Sequence, residues 1–137
     1  MPKILVIDDD EFVNGMIVQL LSEAGYEAEG AGDGNSGLKI LESKQFDLII
    51  TDIVMPEKEG IETIIAIRNM DKTLPIIAIS GGGKIDPRHY LKMAEHFGAD
   101  RTFQKPFDRK DFLAAIQKCL SRRQGTQSNH NLIRTQL

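Results

Sequence analysis

The apolar run Leu48-Ile49-Ile50 ends two residues later on a carboxylate, Asp52, with Met55-Pro56 and Gly60 following. A short, continuous, β-branched run of this kind reads as a strand buried on both faces. A carboxylate just past a buried strand is costly to desolvate unless something nearby uses its charge. In open α/β sheets such chemistry collects outside the carboxyl ends of the strands. The rest of the chain can therefore be tested for what converges on Asp52.

Three other stretches, two apolar and one mixed, also end on polar residues. Ile4-Leu5-Val6-Ile7 runs into Asp8-Asp9-Asp10, Ile76 to Ile79 ends at Ser80, and Arg101 to Gln104 ends at Lys105-Pro106. Tyr26 to Ala31 alternates with polar residues and suits an edge strand. Helical periods lie between these runs. From Glu11, the residues Phe12, Met16 and Leu20 recur every four positions, flanked by Val13, Ile17, Leu21 and Ala24, and Gly25 ends the helix. Gly15 inside it costs about 1 kcal/mol relative to Ala, which points to close packing or to a docking surface. Shorter helices are expected over 36–44, 60–70 and 87–97, the third opened by Asp86-Pro87 and ended by Gly98. A last helix, capped by Asp108, is expected to stop near Leu120.

Five strands alternating with five helices imply an α/β fold with a parallel sheet covered on both faces. The expectation is a flavodoxin-like doubly wound (βα)5 arrangement of strand order 2-1-3-4-5. At 137 residues the chain suits one domain, here residues 1–120. Residues 121–137 show no apolar period and are expected to be a polar, mobile tail or the stub of a linker.

The formal charge of −3 argues against a nucleic-acid surface. Cys119 is alone, which leaves no disulfide framework. The N-terminal apolar run is too short for a signal peptide or a membrane span. A cytoplasmic protein with neither nucleic-acid nor membrane partner is expected.

In a sheet of order 2-1-3-4-5 the first and third strands are neighbours, so Asp8, Asp9 and Asp52 meet at one crevice, with Ser80 and Lys105 opposite. Carboxylates that close need a shared cation, and oxygen ligands with room for water suit Mg2+. Asp52 could then attack phosphorus to form an aspartyl phosphate, with Lys105 and Ser80 on the phosphoryl oxygens. Asp10 reads as a helix cap, and His89, His96 and His130 lack metal-ligand spacing. Two other patterns compete. Gly32-Asp33-Gly34-Asn35-Ser36-Gly37 matches a dinucleotide fingerprint, but it follows a half-polar strand. Asp8-x-Asp10 resembles the nucleophile motif of haloacid dehalogenase-type phosphohydrolases, with Asp8 as nucleophile, but lacks their following residues and late acidic pair.

Asp8-Asp9, Asp52-x-x-Met55-Pro56-x-x-x-Gly60, Ser80 and Lys105-Pro106-Phe107 together resemble the receiver domain of two-component response regulators, over residues 3 to about 120. The resemblance implies a phosphorylation switch, not a turnover enzyme, in which Asp52 is phosphorylated by a sensor histidine kinase or a histidine phosphotransfer protein. It implies Mg2+ held by Asp9, Asp52 and the Val54 carbonyl, with Asp8 acting mostly through water, and a cis Lys105-Pro106 bond. Ser80 and Lys105 would contact the phosphoryl group, and output would pass through an unnamed protein target. A stand-alone receiver is expected, or else a piece of a longer regulator. Thr102 departs from the family, which usually has Tyr or Phe there, so the aromatic half of the usual switch is missing. Phe103 should face the other side of the strand. Val54 and Gly82 cannot hold a hydrolytic water by their side chains, and slow loss of the phosphoryl group is expected.

Overall fold

The computed structural model describes the backbone over residues 1–53, 59–81 and 87–136, and the side chains of the same residues except 59, 87, 89, 90 and 124–136. The elements are β1 (Lys3–Ile7), α1 (Glu11–Glu23), β2 (Glu27–Ala31), α2 (Gly34–Ser43), β3 (Leu48–Asp52), α3 (Glu59–Met70), β4 (Ile76–Ser80), α4 (Pro87–Phe97), β5 (Arg101–Gln104) and α5 (Arg109–Gln136). All four strand pairings are parallel and the order is β2-β1-β3-β4-β5, the fold class expected from the runs.

Alternation along each central strand builds two cores. Leu5, Ile7, Ile49, Ile76 and Ala78 face α2, α3 and α4, where Ile61, Ile64, Ile67 and Ala94 complete one cluster. Ile4, Val6, Leu48, Ile50, Ile77 and Ile79 face α1 and α5, where Ile17, Leu21, Phe112 and Ile116 complete the other. Both clusters are buried, because a central strand with helices on each side has no solvated face. The helix ends follow local chemistry. The Asp10 and Asp33 carboxylates cap α1 and α2, Asp108 accepts from the Lys110 and Asp111 amides, and Gly25 and Gly98 adopt positive φ after α1 and α4.

Two expectations need correction. On α1 the buried line is Ile17 and Leu21, with Val13, Val18 and Leu20 at its margin, whereas Phe12 and Met16 are 79% and 52% exposed. The apolar stripe is wider than the strip the sheet can cover, and its N-terminal edge is left in solvent. Close packing within the described molecule does not account for Gly15, since a Cβ there would meet nothing within 4 Å.

The last helix does not stop near Leu120; α5 continues to Gln136. A missing apolar period does not by itself end a helix. The stretch contains no Pro and one glycine, Gly125, and each residue added to a formed helix gains a backbone bond without new nucleation. The polar segment beyond Leu120 is therefore helical over its described length.

Two residues of the dinucleotide-like motif, Asp33 and Gly37, also have structural occupations. Asp33 caps α2 by accepting from the Ser36 amide at 2.7 Å, and a Cβ on Gly37 would fall 2.6 Å from Ile7 Cδ1. The preceding strand, β2, is an edge strand, not the central one that fingerprint requires.

Candidate functional site

Strand register brings the polar ends together. Ile7 pairs with Thr51 and Asp52 with Ile79, so Asp8 and Asp52 leave adjacent strands at one level and Ser80 lies one residue beyond. Asp8, Asp52 and Ser80 are buried while Asp9 is exposed. One carboxylate oxygen from each of Asp8, Asp9 and Asp52 lies within 4.8 Å of the others. Asp10 is outside this group, its side chain accepting from the Phe12 and Val13 amides at 3.0 and 3.2 Å. The cap reading of Asp10 holds, and the Asp8-x-Asp10 pattern does not form a two-carboxylate site.

Lys105 reaches the cluster from β5. Its Nζ donates to Asp8 Oδ2 at 3.0 Å and to Asp52 Oδ2 at 3.1 Å, and its side chain is 19% exposed. Burial works against the ammonium charge, but the negative charge of Asp52 and the hydrogen bond and charge of Asp8 outweigh it, so the Lys105 pKa is raised. The Lys105–Pro106 bond is cis. The Ser80 hydroxyl is buried and has no hydrogen-bond partner among the described residues. A buried hydroxyl left unpaired is costly and rare, and here it borders the carboxylate cluster.

Two glycines make this approach feasible, for a reason not visible in spacing. A Cβ on Gly81 would lie 2.3 Å from Lys105 Cβ, and a Cβ on Gly60 would lie 2.3 Å from Ile53 Cα and 2.8 Å from the Asp52 carbonyl oxygen. Gly81 thus seats the Lys105 stem, and Gly60 lets α3 start against the backbone of Asp52 and Ile53. Thr102 sits outside the cluster, its hydroxyl donating to Glu95 Oε1 on α4 at 3.0 Å. Glu95 gave no signal in the sequence, being a single acid in a helix that also carries Arg88 and Lys92. Phe103 points to the opposite core, edge-on to Phe112 at 5.4 Å, as strand alternation requires. Val54 and Gly82, named as ligand and water-site positions, lie outside the described residues.

Three clustered carboxylates, an ammonium bridging two of them and an orphaned hydroxyl suit a phosphoryl group with a hard divalent cation. A family model for the response regulator receiver domain matches residues 4–117. The chain belongs to this family. The receiver is 32% identical over 131 residues to the transcriptional regulatory protein CpxR of Escherichia coli K12, covering 96% of this chain and 54% of that protein. It is 32% identical over 128 residues to the transcriptional regulatory protein PrrA of Mycobacterium tuberculosis, covering 93% and 54%. Among solved structures, the CheY-like receiver domain protein of Methanospirillum hungatei JF-1 superposes with a TM-score of 0.82 at 27% identity, covering 92% of this chain and 98% of that one. The receiver domain of NtrX from Brucella abortus gives 0.79 at 26% identity, covering 86% and 98%.

The chain spans about half the length of the two curated relatives. This corrects the expectation that nucleic acid is excluded as a partner. Both relatives are transcriptional regulatory proteins, and the charge of a receiver reports only the receiver's own surface, so its acidity cannot exclude nucleic acid for a regulator that contains it. As a receiver, the chain is a signalling switch of two-component regulation rather than a turnover enzyme. Among the described residues no helix is long and apolar enough to cross a membrane.

Proposed function

We propose that this receiver is switched by phosphorylation of Asp52 from a phosphohistidine on a sensor kinase or phosphotransfer protein, with Mg2+ held by Asp8, Asp9 and Asp52. The observation that carries this reading is the meeting of those three carboxylates with the Lys105 ammonium at one crevice.

An Asp52 carboxylate oxygen forms the new bond to phosphorus as the bond to the histidine nitrogen breaks, and the released imidazole takes up a proton from water. Charge in such a transfer spreads over the three peripheral phosphoryl oxygens. The Lys105 ammonium is within reach of one of them by exchanging a carboxylate contact for a phosphoryl contact, and the unpaired Ser80 hydroxyl can donate to another. A bound divalent cation would neutralise the clustered carboxylates and the incoming phosphoryl charge. Asp52 is fixed for attack by its place at the end of β3, where Gly60 brings α3 against its backbone. The same reading places the protein in the cytoplasm, where the donor domains of sensor kinases operate.

The test uses a small phosphodonor, acetyl phosphate, with and without Mg2+, and maps the adduct by mass spectrometry. The expected result is a Mg2+-dependent, base-labile adduct on Asp52 that disappears in Asp52→Asn. An adduct that persists in that variant, or maps to Asp8, overturns the assignment.

A further inference from the structure

Asn14 lies on α1, outside the acidic cluster, yet its side chain ties together the chain segments that carry it. The amide nitrogen Nδ2 lies 3.1 Å from the Asp8 carbonyl oxygen, 2.9 Å from that of Ala31 and 3.4 Å from that of Val6. A carboxamide nitrogen has two N–H bonds, so Asp8 and Ala31 take the two short contacts and Val6 shares at longer range. The Asp8 amide in turn donates to the Ala31 carbonyl at 3.1 Å. One side chain thus joins the ends of β1 and β2 to the first turns of α1.

Gly30 supports the same arrangement from the other side. It lies inside β2, where glycine weakens a strand, and it has no positive φ to excuse it. A Cβ at Gly30 would fall 2.3 Å from Asn14 Oδ1. The nearest atoms there all belong to Asn14, so the glycine provides the seat of this one carboxamide.

We propose that Asn14 is a positioning residue for the metal-binding carboxylates, an inference that rests on the Mg2+ reading given above. The peptide bond is planar, so a hydrogen bond that fixes the direction of the Asp8 carbonyl also fixes where the Asp9 nitrogen and Cα lie. The Asp8 carboxylate is held separately, by the Asp10 amide at 2.9 Å on Oδ1 and by Lys105 on Oδ2. Among the described residues no such partner holds the exposed Asp9 carboxylate, and its direction depends on the peptide that Asn14 anchors. Asn14 therefore sets the angle at which Asp9 joins Asp8 and Asp52.

The experiment is Mg2+ titration of the full chain by isothermal calorimetry, well below each variant's melting temperature, with melting recorded in EDTA. Asn14→Ala should weaken Mg2+ binding about 10- to 100-fold, the usual cost of losing a group that orients a ligand. Gly30→Ala should do the same by displacing the carboxamide, and the double variant should be no worse than Asn14→Ala alone. Ile17→Ala, which removes a buried α1 side chain away from the cluster, should lower the melting temperature and leave Mg2+ affinity intact. If the wild type binds Mg2+ and both Asn14→Ala and Gly30→Ala stay within about twofold of it, Asn14 does not position the site. Should Asn14→Ala fail to fold, the Gly30→Ala titration decides alone. A wild type that binds no Mg2+ overturns the metal reading itself, and this proposal with it.

Discussion

Lys105 holds two carboxylates that would otherwise repel each other across the crevice. Replacing it with an apolar side chain of similar length, Lys105→Met, leaves Asp8 and Asp52 without that cation, and breaking a largely buried pair in this way costs about 3–5 kcal/mol. The loss should be seen near pH 8 in EDTA, where no divalent cation can take the place of the ammonium. Urea unfolding of both proteins at several pH values measures it, and equal stability at pH 8 would show that the bridge contributes nothing. A lysine pKa raised in the folded state stabilises fully below the ordinary lysine value of about 10.4. That contribution is lost only as pH climbs through the raised folded value, so acidification to neutrality should leave it untouched. Asp8, Asp52 and Ser80 were legible because each ends an apolar run, and Lys105 because it ends the strand Arg101–Gln104 just before Pro106. Gly81 was not: it reads as loop composition, and its real occupation, room for the Lys105 stem, depends on a residue 24 positions away in the chain.

At the scale of elements, α5 departs most from its sequence pattern. Three residues beyond Leu120, Arg123 Nη1 donates to Asp71 Oδ2 at 3.1 Å and to Thr73 Oγ1 at 3.0 Å, tying α5 to the turn between α3 and β4. Asp71 also accepts from the Thr73 and Leu74 amides at 2.9 and 3.1 Å. Burial pushes the Asp71 carboxyl up, but the Thr73 hydrogen bonds and the Arg123 charge outweigh it and hold its pKa below the ordinary carboxylate range. A carboxyl depressed in the folded state stabilises above its unfolded value, about 3.9, and loses that contribution as pH falls through the folded value. Arg123→Ala should therefore cost about 1 kcal/mol at pH 7, the scale of a partly exposed ion pair. The difference from wild type should fade below about pH 4. Urea midpoints at pH 7 and pH 3 check this, and a difference that persists unchanged at pH 3 rules out the ion pair as its source. The polar composition after Leu120 concealed this attachment, because one arginine in a polar stretch carries no periodic signal.

For the whole molecule the question is how a change at Asp52 reaches a distant face. Receivers usually carry an aromatic ring at the position of Thr102, and here a hydroxyl is bound to Glu95 across the β5–α4 contact. Thr102→Val keeps the shape of the side chain and removes the donor, which should cost about 1 kcal/mol. If that bond holds α4 against the sheet, amide exchange over Pro87–Phe97 in the unphosphorylated protein should quicken by about fivefold, as that energy implies. It should leave β1 and β3 unchanged. Exchange that quickens evenly over all elements would point to general destabilisation and not to a local tether.

Three apolar runs with polar stops, two more polar edge segments and the helical periods between them were enough to give five parallel strands, two helical layers and the residues gathered at Asp52. Strand and helix periods are local, and a parallel sheet with one helix per crossover leaves few ways to connect them. Which part of the α1 stripe would be covered, how far α5 would run, and why Gly30, Gly60 and Gly81 are glycines were decided only in three dimensions. Each depends on contact between segments far apart in the chain. Such contacts are set by how the layers pack, and packing leaves no period in the sequence for a reader to find.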